Sequence, residues 1–300
     1  MGESEQLPRK RRRRPNYHLR RICALLILAA ILTGIVFAGI SCCRFLNRHH
    51  TKGPFTEISM GSYPTETPQD YTVSQALAHL EDLAAEYPEF QEIIDNTDAY
   101  PDDMITALAN NPNMLDFARG YPTAEKKAIG GLTKSECKEA FPLFLQWDPR
   151  WGYVPYGDEN IGLSGCGPTC VAMAAFALTR DEDITPDKTA KAATEGGYHQ
   201  AGVGTKWSFM TEGALEFGIT ADTLPLEKST VIAKLEEGCP IICSMAPGDF
   251  TAHGHFILMV GAENGKIRIN DPNSAERSNQ LWEFDDIADQ IKNLWCYTRS

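Results

Sequence analysis

A thiol stands at the mouth of a helix-length apolar run in GLSGCGPTCVAMAA, residues 162–175. A thiolate, not a thiol, is the nucleophile, and a helix N-terminus favours it through unpaired N–H groups and about half a positive charge. Gly165 and Gly167 let the chain turn and leave the sulfur of Cys166 uncovered, and Pro168 suits a first helical turn. The small apolar residues 171–178 fit a buried helix that fixes the thiol in place. The chemistry to expect is nucleophilic attack on a carbonyl, and the competing reading is an inert buried cysteine.

A nucleophilic cysteine needs a base, and the base needs an orienting group. His255 opens the apolar strand HFILMV, with His253 two residues earlier in a loop. Asp271 ends the strand KIRIN and precedes Pro272, where an aspartate is also a common turn former. ENG at 263–265 signals a hairpin between these strands. A two-residue loop would pair Leu258 with Asp271 and set Asp271 on the face opposite His255. A three-residue loop, or an equivalent bulge, pairs Ile257 with Asp271 and makes His255 a diagonal neighbour of Asp271. The register with both groups on one face is expected. A zinc site built from Cys166, Cys170, His253 and His255 is disfavoured, because Cys-x3-Cys and His-x-His are not tight ligand spacings.

The elements that must position these groups follow from patterning. Strand-like runs at 141–146, 240–245, 255–261 and 266–270 alternate with glycine turns, and helices are expected after Cys166 and over 186–193, 208–217 and 230–236. Upstream, residues 71–130 read as a helical extension, with Leu77, Leu80 and Leu83 in one apolar stripe and Met104, Ile105 and Leu108 in another. Tyr-Pro at 87–88, 100–101 and 121–122 marks three expected helix starts. No chemistry-bearing cluster is visible there, so the segment reads as a packing or spacer element. Helices first and strands later define an α+β class.

The chain has 300 residues and a formal charge of −12. Residues 1–21 carry eight Lys/Arg against Glu3 and Glu5, which leaves −18 on the remainder. An acidic body argues against a nucleic-acid binder, because phosphate binding needs a basic face. Residues 22–43 are uncharged and long enough to cross a bilayer as a helix, longer than the apolar core of a cleaved signal peptide. The basic tail at 1–21 keeps the N-terminus in the cytoplasm. The expectation is a single-pass signal anchor in the cell membrane, a linker at 44–70, the helical extension at 71–130 and an extracellular domain at 140–300. Six of the nine cysteines lie beyond the span, and zero to two disulfides are expected among them.

The runs FLQWDPRWGYVPYG, SGCGPTC, GDFTAHGHFILMVG and INDPN, in that order, resemble the papain-like cysteine peptidases of the stand-alone C39-like branch, related to the bacterial peptidases that process double-glycine leaders. The resemblance spans about residues 141–295, and YPDDMITALANNPNMLDFARGYP resembles the helical extension often found ahead of such domains. It implies a papain-like fold, with the cysteine-bearing helix packed on an antiparallel sheet. It implies Cys166 as nucleophile, His255 as general base, Asp271 as the imidazole's orienting group and Gln146 as an oxyanion donor beside the Cys166 N–H. Asn160 is the alternative donor, because it stands six residues before Cys166, where papain carries its glutamine. The chain holds no multi-span transporter or ATP-binding domain, so leader processing during export is not carried over. No metal or cofactor is required. The implied substrate is a peptide or protein, and a membrane-tethered bacterial enzyme would also face cell-wall peptide. A cell-wall amidase or endopeptidase, and a catalytically silent binding module, are the alternatives.

Overall fold

The computed structural model describes residues 63–300. The basic tail, the span expected at 22–43 and most of the 44–70 linker lie outside the described residues. Among the described residues no helix is long and apolar enough to cross a membrane.

The helical extension is built from α1 (Val73–Glu86), α2 (Asp102–Asn110) and α3 (Leu115–Gly120), joined by short 3-10 turns. Thr72 caps α1 in a reciprocal capping box with Gln75. Leu80, Met104, Ile105, Leu108 and Phe117 are buried, as their spacing predicts. Burial of a side chain of this size stabilises by about 1.5–3 kcal/mol. Two of the Tyr-Pro pairs do begin helical turns, at Pro88 and at Pro101. The third does not: Tyr121 caps the end of α3. The extension does not stand apart, because Phe117 and its neighbours share a core with Leu145 and Trp147 of the following segment.

Downstream, α4 (Ile161–Ser164) and α5 (Cys166–Thr179) run consecutively, followed by α6 (Pro186–Glu195) and α7 (Lys228–Glu236). Six strands form one sheet: β1 (Ile219–Thr223), β2 (Ile241–Met245), β3 (His255–Glu263), β4 (Lys266–Asn270), β5 (Leu281–Trp282) and β6 (Ile291–Arg299). Their order is β1-β6-β2-β3-β4-β5, with every neighbouring pair antiparallel. Alternation sorts the side chains between two cores. Ile242, Phe256, Leu258, Val260, Trp295 and Tyr297 face α5, which is buried from Gly167 to Phe176. Cys243, Ile257, Met259, Ile267 and Ile269 face the opposite way, with Val231 and Leu235 of α7. The architecture is α+β on an antiparallel sheet, with the cysteine-bearing helix against one face.

Two local expectations differ from the structure. Residues 141–146 are not a sheet strand; they run as irregular chain whose Phe144 N–H donates to Met173 Sδ and whose Gln146 N–H donates to Pro272 O. The α-helix expected at 208–217 is two 3-10 turns, Trp207–Met210 and Gly213–Phe217; Gly213, which lowers helix propensity, stands at the start of the second. The 263–265 hairpin reaches the expected register in its bulged form, on a shorter loop. Glu263 pairs with Lys266 across a two-residue turn whose Asn264 and Gly265 both have positive φ, 54° and 80°.

Candidate active site

The short turn alone would have put Asp271 on the wrong face. The ladder corrects it with a bulge: Gly261 pairs with Arg268, but Met259 pairs with Ile269 and Leu258 with Asn270. Val260 is the extra residue, and the one-residue shift restores the register of a three-residue loop. Asp271 therefore reaches His255, and His255 Nε2 lies 2.7 Å from Asp271 Oδ1.

Asp271 is fully buried and densely partnered. Oδ1 also accepts the Asn273 N–H at 2.8 Å, Oδ2 faces Arg277 Nη1 at 3.5 Å, and the Asp271 N–H donates to Ser278 Oγ at 2.8 Å. Burial works against its charge, but His255, Arg277 and the Asn273 N–H together hold the carboxyl below its ordinary range. Burial likewise opposes an imidazolium at His255, yet the Asp271 charge and hydrogen bond, with a smaller contribution from Cys166, raise it to about 10. The His255 ring is thus bonded to the Asp271 carboxylate and lines the same cleft as Cys166.

Cys166 begins α5, with Gly165 at the cap. Neither Gly165 nor Gly167 has positive φ. Space is what requires them: a Cβ on Gly165 would lie 2.5 Å from Ile161 O, and one on Gly167 would lie 2.7 Å from Thr205 Oγ1. One turn later, Cys170 is buried and its thiol donates to Phe256 O at 3.3 Å, which fastens α5 to β3 next to His255.

Gln146, Cys166 and His255 all line one cleft of about 830 Å³. Gln146 is 4% exposed and donates through Nε2 to Gly162 O at 2.9 Å and Leu163 O at 3.3 Å. Its loop is pinned by Arg150, which bonds Asp148 Oδ2 through Nε at 2.9 Å, pairs with Glu136 Oε1 at 2.6 Å and lies over the Trp151 ring. Asn160 is placed differently. Its Oδ1 accepts the Leu163 N–H and caps α4, and it does not line the cleft. His253 sits exposed on the cleft rim, with Nε2 3.2 Å from Asp70 Oδ1. Among the described residues no group of three or more His, Cys, Asp or Glu is placed to hold a metal ion.

Two features escaped the reading of the sequence. Arg277, 4% exposed, sits in a polar stretch with no periodicity to mark it as buried, so nothing local signalled its place beside Asp271. The helical extension is also more than a spacer. Tyr71, Asp103, Thr106 and Asn110 line the same cleft as Cys166.

A cysteine at a helix mouth beside a histidine–aspartate pair, in a cleft over an antiparallel sheet, defines a papain-like peptidase arrangement. The model of the Peptidase_C39 like family matches residues 138–300, and the chain belongs to that family of papain-like peptidases. Among solved structures, the peptidase domain of Streptococcus ComA, a bi-functional ABC transporter involved in a quorum sensing pathway, is similar at 17% identity and a TM-score of 0.35, covering 46% of this chain and 93% of that one. A protein described as a C39-like peptidase from Bacillus anthracis is similar at 17% identity and a TM-score of 0.31, covering 53% of this chain and 96% of that one. No curated protein matches the sequence.

Proposed function

We propose that this family member is a membrane-anchored, extracellular cysteine peptidase that hydrolyses amide bonds through Cys166, His255 and Asp271. The observation that carries the reading is the 2.7 Å contact between His255 Nε2 and Asp271 Oδ1 in a cleft that also exposes the helix-mouth Cys166. Asp271 occupies one ring nitrogen, so the other serves the thiol. His255 takes the Cys166 proton, and the thiolate attacks the substrate carbonyl carbon. The Cys166 N–H and the Gln146 amide hold the developing oxyanion; the position of Gln146 on the cleft wall favours it over Asn160. His255 then protonates the leaving amine, and water, activated by the same imidazole, hydrolyses the thioester.

The anchor reading rests on the uncharged residues 22–43 and the basic tail before them. It is checked by membrane fractionation of the full chain and by protease accessibility of the C-terminal part from outside intact cells.

The chemistry is tested by labelling the full chain with iodoacetamide between pH 4 and 9 and mapping the modified cysteine by mass spectrometry. Cys166 is expected to react fast at pH 6, and to react slowly there in His255→Ala. Equal, slow labelling in both proteins would favour a silent binding module. Parallel assays on a linear peptide library and on cell-wall muropeptides then separate a peptidase from a cell-wall amidase.

A further inference from the structure

A buried amide of the helical extension reaches the turn that follows Asp271. α2 ends at Asn110, and Pro112 keeps Asn111 out of helical geometry, at φ −141° and ψ 83°. The Asn111 side chain leaves the helix there and is buried, at 1% exposure. Its Nδ2 donates to Asn273 O at 2.5 Å and lies 3.5 Å from Asn273 Oδ1, across 162 residues of sequence. Trp147 Nε1 donates to the same Asn273 O at 3.0 Å, and the Gln146 N–H holds Pro272 O at 2.7 Å. The Asn273 N–H in turn donates at 2.8 Å to Asp271 Oδ1, the oxygen that bonds His255 Nε2. Asn111 Oδ1, by contrast, is buried without a partner. An apolar side chain would fill this position without an orphaned acceptor, so packing alone does not account for an asparagine here.

We propose that Asn111 is a positioning residue for Asp271, so that the extension sets the geometry of the His255–Asp271 pair as well as forming a wall of the cleft. With Asn273 O fixed by Asn111 and Trp147, the Asn273 N–H is aimed at Asp271 Oδ1. That oxygen serves two donors, and holding one of them in place fixes the carboxylate for the other. The carboxylate then orients the imidazole that takes the Cys166 proton. Loss of the Asn111 donor leaves Asn273 O on Trp147 alone. The turn stays satisfied but gains freedom, and the imidazole loses its fixed orientation. The proposal rests on the peptidase reading of Cys166, His255 and Asp271.

The full chain, as wild type, Asn111→Leu and Asn111→Ser, is labelled with iodoacetamide at pH 6 and pH 9, and the rate at Cys166 is followed by mass spectrometry. Asn111→Leu removes the donor and the orphaned oxygen together at nearly the same volume, so it should melt within about 4 °C of wild type. At pH 6, where the thiolate depends on His255, Cys166 should react about tenfold more slowly in both variants than in wild type. At pH 9, where an ordinary thiol is itself largely ionised, the rates should agree within about twofold. A variant that merely disturbs access to the cleft would slow labelling at both pH values. Unchanged rates at pH 6, or equal slowing at pH 6 and pH 9, overturn the proposal and leave the peptidase reading intact. Slow labelling of the wild type at pH 6 overturns both. Asn111→Ser, which withdraws the donor without adding apolar bulk, decides the matter should Asn111→Leu fail to fold.

Discussion

Arg277 Nη1 stands 3.5 Å from Asp271 Oδ2, on the side of the carboxylate turned away from His255. Asp271 is thus a fully buried anion between two cationic partners, and its remaining capacity is taken by the Asn273 N–H. A buried charge left unpaired costs several kcal/mol, so the site is held as a set rather than as independent pairs. Arg277 also donates to Glu66 O, which ties the Asp271 region to the chain that leads into the helical extension.

Replacing Arg277 by Met tests this set. The variant should lose about 3–5 kcal/mol of stability, the cost of unpairing a buried ion. The acid limb of kcat/KM should also move to higher pH, because Asp271 loses a group that holds its carboxyl down. Urea unfolding and a pH–rate profile check the two parts. An unmoved acid limb would mean that Arg277 is only packing.

The pH dependence of stability has a defined sign. His255 binds its proton more tightly folded, at about 10, than its ordinary 6.5. Its contribution is therefore complete below about pH 6.5 and is lost as pH rises toward 10. Asp271 is lowered from 3.8, so its contribution is present above that value and is lost as pH falls below it. The Tm difference between wild type and the His255→Gln, Asp271→Asn double variant should be largest between these limits and should shrink from pH 6.5 to 10. A difference that grew over that range would reverse the assignment.

Gln146 and Asn160 should part company on substitution. Gln146→Ala is expected to lower kcat by about 10²–10³-fold, as for loss of an oxyanion donor. Asn160→Ala removes the α4 cap and should cost about 1 kcal/mol of stability with kcat nearly unchanged. Steady-state kinetics beside thermal melts decide the pair, and a large kcat loss in the Asn160 variant would exchange their roles.

Gly165→Ala should damage the site without touching a reacting group. Its new Cβ would lie 2.5 Å from Ile161 O, a backbone atom with no freedom to retreat. The start of α5 must shift, and a misplacement of about 1 Å is enough to cost about 10² in rate. Iodoacetamide labelling of Cys166 at pH 6 should slow accordingly, and wild-type rates in this variant would contradict the packing argument.

Much of this molecule was legible in the chain. β4 and the core of β3 read as strands because apolar and β-branched residues run between turn signals, and α5 read as a buried helix because small apolar residues follow a glycine turn. Local patterning likewise suffices for the amphipathic stripes of α1 and α2. Residues 141–146 misled for a related reason. They are apolar because they pack on α5, with Phe144 against Trp151, and an apolar run alone does not tell a strand from a buried irregular segment.

By itself the sequence determined which residue types could do chemistry, in what order, and on which kinds of element they stand. It left open the turn between β3 and β4, because Glu-Asn-Gly supports two loop lengths that place Asp271 on opposite faces. Only the tertiary structure decided the register, through a bulge at Val260 that offsets the two-residue turn. The same holds for β6, the last strand in the chain yet one placed inside the sheet between β1 and β2. It holds also for Arg277 beside Asp271 and for the extension along the cleft. Strand order, bulges and buried ion pairs are settled by contacts between residues distant in sequence, and local patterning does not encode which distant surface a segment will meet.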